Sequence, residues 1–282
     1  MGSFRVTSCD FVCFVDRSSL LPLGRKLQLR VNVFTPEILR FDSLPSTNLE
    51  AARRATEGAS EGLCVIADEQ TAGRGRLERE WTSPQGAGLY FSIILRPTFE
   101  PRVWPLLTLM AAVAVYEALF ESCAARTDIK WPNDVMANEK KLCGILAETV
   151  ETPMGRAVVI GIGINLTNHA FHKRLDNVAT SVAAITEQTP DREVVLQTLV
   201  GSLAKYYQIL QRPGGSDEIV REWSRRSTYA TGKRIRVANG DEIIEGTSRG
   251  LESDGALRVE TADGDVKVIR AGDVSSVRAA VA

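Results

Sequence analysis

Histidine is nearly missing from this chain: there are two, His169 and His172, in the polar stretch LTNHAFHKRLDN. A Ser-His-Asp triad or a histidine-rich metal centre would have to use one of them, and an H-x-x-H pair alone is a weak signal for either. Cysteine is scarce too. The five present (Cys9, Cys13, Cys64, Cys123 and Cys143) are odd in number and scattered, with no C-x-x-C pair. They indicate reduced thiols in a cytoplasmic protein rather than a disulfide framework. Neither sign of charge dominates: 34 Lys and Arg against 35 Asp and Glu give a net charge of −1. That argues against a surface built to coat nucleic acid, while leaving room for a local basic loop. The start of the chain has no secretory h-region and misses the myristoylation pattern at Val6. The longest apolar run, WPLLTLMAAVAVYEALF (104–120), contains Glu117 and reads as a core helix, so no membrane association is expected. No G-x-x-x-x-G-K-[ST] sequence occurs, which excludes a P-loop.

With 44% hydrophobic and 24% charged residues, the chain can bury a sizeable core. Residues 1–38 lack clear periodicity and form an N-terminal extension of unknown role. From 39 to 228 strands and helices are interspersed: helices are predicted over 48–56, 104–121, 180–187, 191–211 and 217–227. The runs GLCVIADEQ and GLYFSIILRP read as buried strands, and KKLCGILAETVE and GRAVVIGIGINL as a hairpin turned by TPMG. Strands that adjoin as hairpins fit an α+β domain with a mixed sheet better than a doubly wound parallel one. After Tyr229 the texture changes. Four or five short strands are punctuated by Asn239-Gly240, Asp254-Gly255 and Asp263-Gly264, the marks of tight turns, so 229–282 reads as a small antiparallel barrel.

Four stretches carry candidate chemistry. In GRGRLEREW (73–81), Gly73 and Gly75 let backbone approach a ligand. Arg74, Arg76 and Arg79 offer planar forks for carboxylate or phosphate, and Trp81 offers a stacking face. The plain alternative is a solvated loop partly neutralised by Glu78 and Glu80. In KWPND, Lys130 ends a strand and projects a cation, with Asn133 and Asp134 at the same rim; the alternative is a solvated Lys130 and a core Trp131. In GIGIN, Gly161 and Gly163 leave one strand face bare for a flat ligand, or else mark a bulge or close packing before Asn165. In STN (46–48), Thr47 and Glu50 have capping-box spacing, and Ser46 or Thr47 can also bond a small polar ligand.

Taken in order, STN, EQTAGRGR…W, GLYFSIILRP, KWPND, KLCGIL and VIGIGINL resemble the biotin–protein ligases, from about residue 40 through the C-terminal barrel. The resemblance implies an α+β catalytic domain followed by an SH3-like barrel. It also implies biotin and ATP as substrates with Mg²⁺, and a biotin carboxyl carrier protein as partner. Ser46, Thr47, Asn48 and Gln70 then correspond to biotin head-group contacts, with Gly161 and Gly163 lining the slot. Arg74, Gly75 and Arg76 correspond to a loop closing over the adenylate, with Arg79 assisting and Trp81 near the adenine. Lys130 corresponds to the cation between carboxylate and α-phosphate. Asn133, Asp134 and Asn165 correspond to contacts at the nucleotide end, and Asp134 is a candidate metal ligand.

Two features depart from the pattern. Many members have glycine where this chain has Glu78, and a basic residue at Leu77 or Glu80, so a stiffer, less positive loop is expected. Residues 1–38 do not resemble the winged helix-turn-helix of the repressor members, so a ligase-only type without DNA binding is expected. A homodimer is left open. The competing readings are a lipoate–protein ligase, a transcriptional regulator that senses the adenylate, and an inactive binding module.

Overall fold

Alternation along the strands decides which face of the sheet becomes core. The computed structural model describes residues 37–168, 175 and 177–276. His169, His172, Cys9, Cys13 and the extension up to residue 36 lie outside the described residues. Seven strands form one sheet in the order β1-β2-β3-β7-β6-β5-β4. They are β1 Ile38–Leu44, β2 Cys64–Gln70, β3 Gly88–Leu95, β4 Asp128–Lys130, β5 Asp134–Ala137, β6 Lys140–Thr152 and β7 Gly155–Asn165. β1 and β2 run parallel and every other neighbouring pair is antiparallel. The mixed sheet expected from the hairpin pattern is therefore present.

In β3, Leu89, Phe91, Ile93 and Leu95 point to one face, where they join Leu107, Met110 and Val113 of helix α2 (Pro105–Cys123). Burying each such side chain contributes about 1.5–3 kcal/mol, which makes this face the main source of stability. Further along the chain come α3 (Val182–Thr186), α4 (Arg192–Leu210) and α5 (Gly215–Arg225). Leu196, Leu199 and Trp223 of α4 and α5 extend the same core. Asp191 caps α4 by accepting from the N–H of Glu193 at 2.8 Å and of Val194 at 3.3 Å. Among the described residues α2 is long and apolar enough to cross a membrane by composition, but it packs here as a core helix. The opposite face carries a smaller cluster, in which Ala51 and Ala55 of α1 (Thr47–Thr56) meet Val65, Ile94 and Val159. A ten-residue helix is too short to cover that face, and the uncovered part becomes the site.

Five antiparallel strands follow in the order β11-β10-β9-β8-β12: β8 Thr231–Asn239, β9 Glu242–Leu251, β10 Leu257–Glu260, β11 Val266–Ile269 and β12 Asp273–Ser276. Gly240, Gly255 and Gly264, each from a predicted turn, have φ of 59°, 86° and 89°. These left-handed values come at little cost to glycine. Ile235, Val237, Leu257 and Val274 belong to the same core as α2. Trp131, buried as core, donates its indole N–H to the Gly255 carbonyl at 3.0 Å. The barrel-like sheet is thus welded to the larger domain.

The capping box does not form. Ser46, not Thr47, is the N-cap, and its side chain makes no capping bond. Glu50 is drawn instead to Arg53 and Arg54, at 2.6 and 2.7 Å. Charge-assisted contacts one turn onward outcompete a single bond back to the cap.

Glu117, the one charge in the apolar run 104–120, is answered from two other helices. It accepts from Lys205 and the Tyr206 hydroxyl of α4, and from Arg226 just after α5 at 3.4 Å. Burial raises its pKa, but these donors outweigh burial and hold it below the ordinary carboxylate value. A depressed folded-state pKa stabilises the fold above the unfolded value, and that stability is lost as pH falls through the folded one. Glu117→Gln should therefore cost about 1–2 kcal/mol at neutral pH. The gap to the parent should narrow in acid. Thermal melts across the acid range check this, and a constant gap contradicts it.

Candidate active site

Where α1 leaves the sheet uncovered, side chains run out. Gly144 of β6 and Gly163 of β7 are cross-strand partners, and Gly161 pairs with Ser92 of β3. The strands keep regular register through all of these positions, so close packing rather than a bulge accounts for the glycines. A Cβ at residue 161 would collide with the Asn48 amide; one at 163 or 144 would collide with the Trp81 indole. Backbone thus floors a cavity of about 280 Å³, with Asn48 and Trp81 lying across it. Of the residues given candidate chemistry in the four stretches, all but Gly73 and Lys130 line this cavity.

One end is a fixed polar network at the start of α1. The backbone N–H and hydroxyl of Thr47 donate to Gln70 Oε1 at 2.9 and 3.1 Å, and Gln70 Nε2 donates to Ser83 at 2.8 Å. Asn48 donates to Glu148 at 2.7 Å and to the Leu146 carbonyl at 3.3 Å. Its oxygen accepts from the fully buried Ser92 hydroxyl at 2.7 Å. Ser46 stands beside them, buried and extended at the helix entry.

The other wall is the arginine loop, closed on itself by the Gly75 N–H to the Arg79 carbonyl (2.6 Å) and the Trp81 N–H to the Gly73 carbonyl (2.9 Å). Gly73 serves this closure, since a Cβ there would collide with the Trp81 carbonyl. Between them Leu77 and Glu78 have φ of 53° and 57°. Left-handed backbone costs a residue with a Cβ roughly 1–2 kcal/mol, so glycine at 78 would relax the loop. Carboxylates from elsewhere in the fold meet Arg74 and Arg79. Arg74 pairs with Glu148 at 2.9 Å, and Arg79 pairs with Asp273 of β12 at 2.5 Å. Arg76 reaches the Asn133 side-chain oxygen at 3.2 Å and Asp273 at 3.6 Å.

KWPND is arranged differently from the simplest reading. Lys130 ends β4, is only 19% exposed, and pairs with Asp134 at 3.2 Å outside the cavity lining. The lysine in the cavity wall is Lys141, 2.6 Å from the other Asp134 oxygen and 5.4 Å from the Trp81 ring centroid. The angle of that contact gives the Asp134 Oδ1 no hydrogen bond. Asn133 donates to the Ile145 carbonyl at 2.8 Å, and Asn165 to the Thr180 carbonyl at 3.0 Å, so both amides are held by backbone. The Trp81 indole N–H is buried without a partner. Buried donors are nearly always satisfied, and this one lies close against Gly163.

Lys141 opens KLCGIL, a stretch quoted for its resemblance but given no role. Glu148 and Asp273 had no sequence signal, because only the fold brings them to the loop. Burial pushes the Cys64 thiol up to about 12 and raises Cys143 as well, so neither supplies a thiolate.

The described residues thus form a mixed-sheet domain with a cation-walled cavity over one sheet face, joined to a barrel-like antiparallel sheet. Comparison with known proteins agrees. The biotin/lipoate A/B protein ligase family matches residues 38–165, and the biotin protein ligase C-terminal domain matches 231–276. A bifunctional ligase/repressor BirA of Bacillus subtilis is 37% identical over 249 residues, covering 87% of this chain and 76% of the relative. A biotin–[acetyl-CoA-carboxylase] ligase of Paracoccus denitrificans is 37% identical over 220 residues, 75% of this chain and 89% of the relative. The solved structure of an Aquifex aeolicus biotin protein ligase in complex with biotin and ATP is 31% identical, with a TM-score of 0.75. It covers 87% of this chain and 100% of that one. The chain belongs to the biotin/lipoate protein ligase family and, within it, is a biotin–protein ligase.

The crowding at Gly161 is testable. Gly161→Ala should displace the Asn48 amide and weaken biotin binding at least about tenfold, or about 1.4 kcal/mol. Adding Gly161→Ala to Asn48→Ala should cost little more than Asn48→Ala alone. Calorimetry checks both, and additive losses contradict the contact.

Proposed function

We propose that the protein activates biotin with ATP and transfers it to one lysine of a biotin carboxyl carrier protein. The biotin carboxylate oxygen attacks the α-phosphorus, giving biotinyl-5′-adenylate as pyrophosphate leaves. The carrier's lysine amine, having lost its proton, then attacks the acyl carbon, giving an amide as AMP leaves. Both steps gather negative charge in one place, so catalysis comes from positioned cations with no enzyme nucleophile. A single observation carries this reading: guanidiniums of the 73–81 loop and the Lys141 ammonium ring one small cavity whose floor is bare backbone.

In this reading Ser46, Thr47, Asn48 and Gln70 hold the biotin head group at the polar end, over Gly161 and Gly163. The unpartnered Trp81 N–H gives the site one donor for a bound acceptor. Arg74, Arg76 and Arg79 close over the phosphate, with Gly75 giving the loop its tight return. Lys141 faces the reacting carboxylate and phosphate, and Lys130 supports it through the shared Asp134. Asn133 and Asn165 line the same cavity as polar walls at the nucleotide end.

A resident magnesium ion does not fit these residues. Asp134 is engaged by two lysines, and no cluster of three or more His, Cys, Asp or Glu suited to a metal occurs among the described residues. Magnesium belongs in this scheme to the ATP that enters. Free thiols at Cys64, Cys123 and Cys143 support a reducing, cytoplasmic setting.

Incubation with biotin, ATP, Mg²⁺ and a carboxyl-carrier domain should add one biotinyl group to one carrier lysine, read by mass. Absence of transfer, or transfer of lipoate alone, overturns the assignment. Lys141→Ala should slow adenylate formation more than about tenfold, or about 1.4 kcal/mol of barrier, and more than Lys130→Ala does. The reverse order contradicts the division of roles.

A further inference from the structure

We propose that Asp273 is a positioning residue through which the C-terminal barrel holds the 73–81 loop closed, and so sets how long the activated intermediate is retained. Its consequence for the intermediate rests on the ligase reading; the latch itself does not.

Asp273 opens β12, yet it lines the cavity. Its two oxygens face different guanidiniums, Oδ2 at 2.5 Å from Arg79 and Oδ1 at 3.6 Å from Arg76. The neighbouring Gly272 carbonyl accepts from Arg76 at 3.3 Å. Gly272 has φ of 142°, and a Cβ there would press on the Ala238 carbonyl and Val237 at 2.8 Å, so glycine lets this strand entry lie close against β8. Two adjacent residues of one strand entry thus meet two arginines of a loop nearly 200 positions earlier in the chain.

The loop needs such a hold. Leu77 and Glu78 both adopt left-handed backbone, which their Cβ atoms disfavour, and Leu77 is 72% exposed and gains no packing there. Contacts from outside must therefore keep the shape. Glu148 on the main sheet fixes Arg74 at one end, and Asp273 fixes Arg76 and Arg79 at the other. The barrel is a firm post for this purpose, because it shares the core of α2 and is bonded through Trp131 to Gly255.

Limited trypsin digestion of the full-length, ligand-free protein reads the latch, since Arg74, Arg76 and Arg79 are themselves cleavage points. Proteolysis in this regime follows the population of the open form. Asp273→Asn keeps the shape and removes the charge; it should speed cleavage in the loop at least about fivefold with the melting temperature within about 2 °C. Asp273→Glu should restore protection. From the loop side, Arg79→Gln should expose Arg74 and Arg76 to the same degree, so the result does not hang on one variant. With biotin and ATP, Asp273→Asn should release biotinyl-adenylate at least about fivefold faster while biotin affinity changes less than about twofold. Unchanged cleavage in Asp273→Asn and Arg79→Gln overturns the latch. Faster cleavage with unchanged adenylate release overturns its control of the intermediate. If the parent makes no adenylate, the ligase reading fails and the cleavage rates still decide whether the latch exists.

Discussion

Arg74, Arg76, Arg79 and Lys141 line one small cavity, with Lys130 outside the lining, and like charges gathered in one place repel. What makes the arrangement tenable is that carboxylates from three separate parts of the fold meet them: Glu148 on β6, Asp134 on β5 and Asp273 on the barrel. Each fixes at least one cation in the cavity wall. The sheet, the short helix α1 and the barrel are arranged so that these groups arrive at one place.

Preorganised charge is also what acyl-adenylate chemistry demands. A carboxylate meeting a triphosphate raises repulsion that water would have to screen by reorienting; cations already in position remove that reorganisation. The glycines of the floor complement them, because backbone without side chains lets Asn48 and Trp81 lie close against the strands at the cavity. Neither element suffices alone. The glycines make room, and the ion pairs set what the room attracts.

Much of the fold was legible in the residues. The strand-rich segments and the dipeptide turns at 240, 255 and 264 gave the mixed sheet and the barrel, because hydrophobic alternation and positive-φ glycines are local properties. Most of the cavity wall was legible as well, as six short stretches in order. Two things were not. KWPND and KKLCGIL each offer a lysine near Asp134, and spacing alone could not say which faces the cavity; β4 and β6 flank β5 and approach Asp134 from opposite sides, and the fold turns Lys141 inward. Asp273 and Glu148 were invisible for a different reason. A lone acidic residue on a strand carries no mark of function until the chain brings it to a loop far away in sequence. The capping-box spacing at Thr47 misled, because stronger donors lay one turn further along.

Hydrogen exchange of the backbone amides of residues 73–81, with and without biotin and ATP, tests most directly whether the charged loop encloses what the cavity binds. The account predicts that the loop amides slow by at least about tenfold when both ligands are present, and that the barrel turn at Gly272 slows with them. Exchange in the loop that is indifferent to the ligands, while biotin binds, would contradict it.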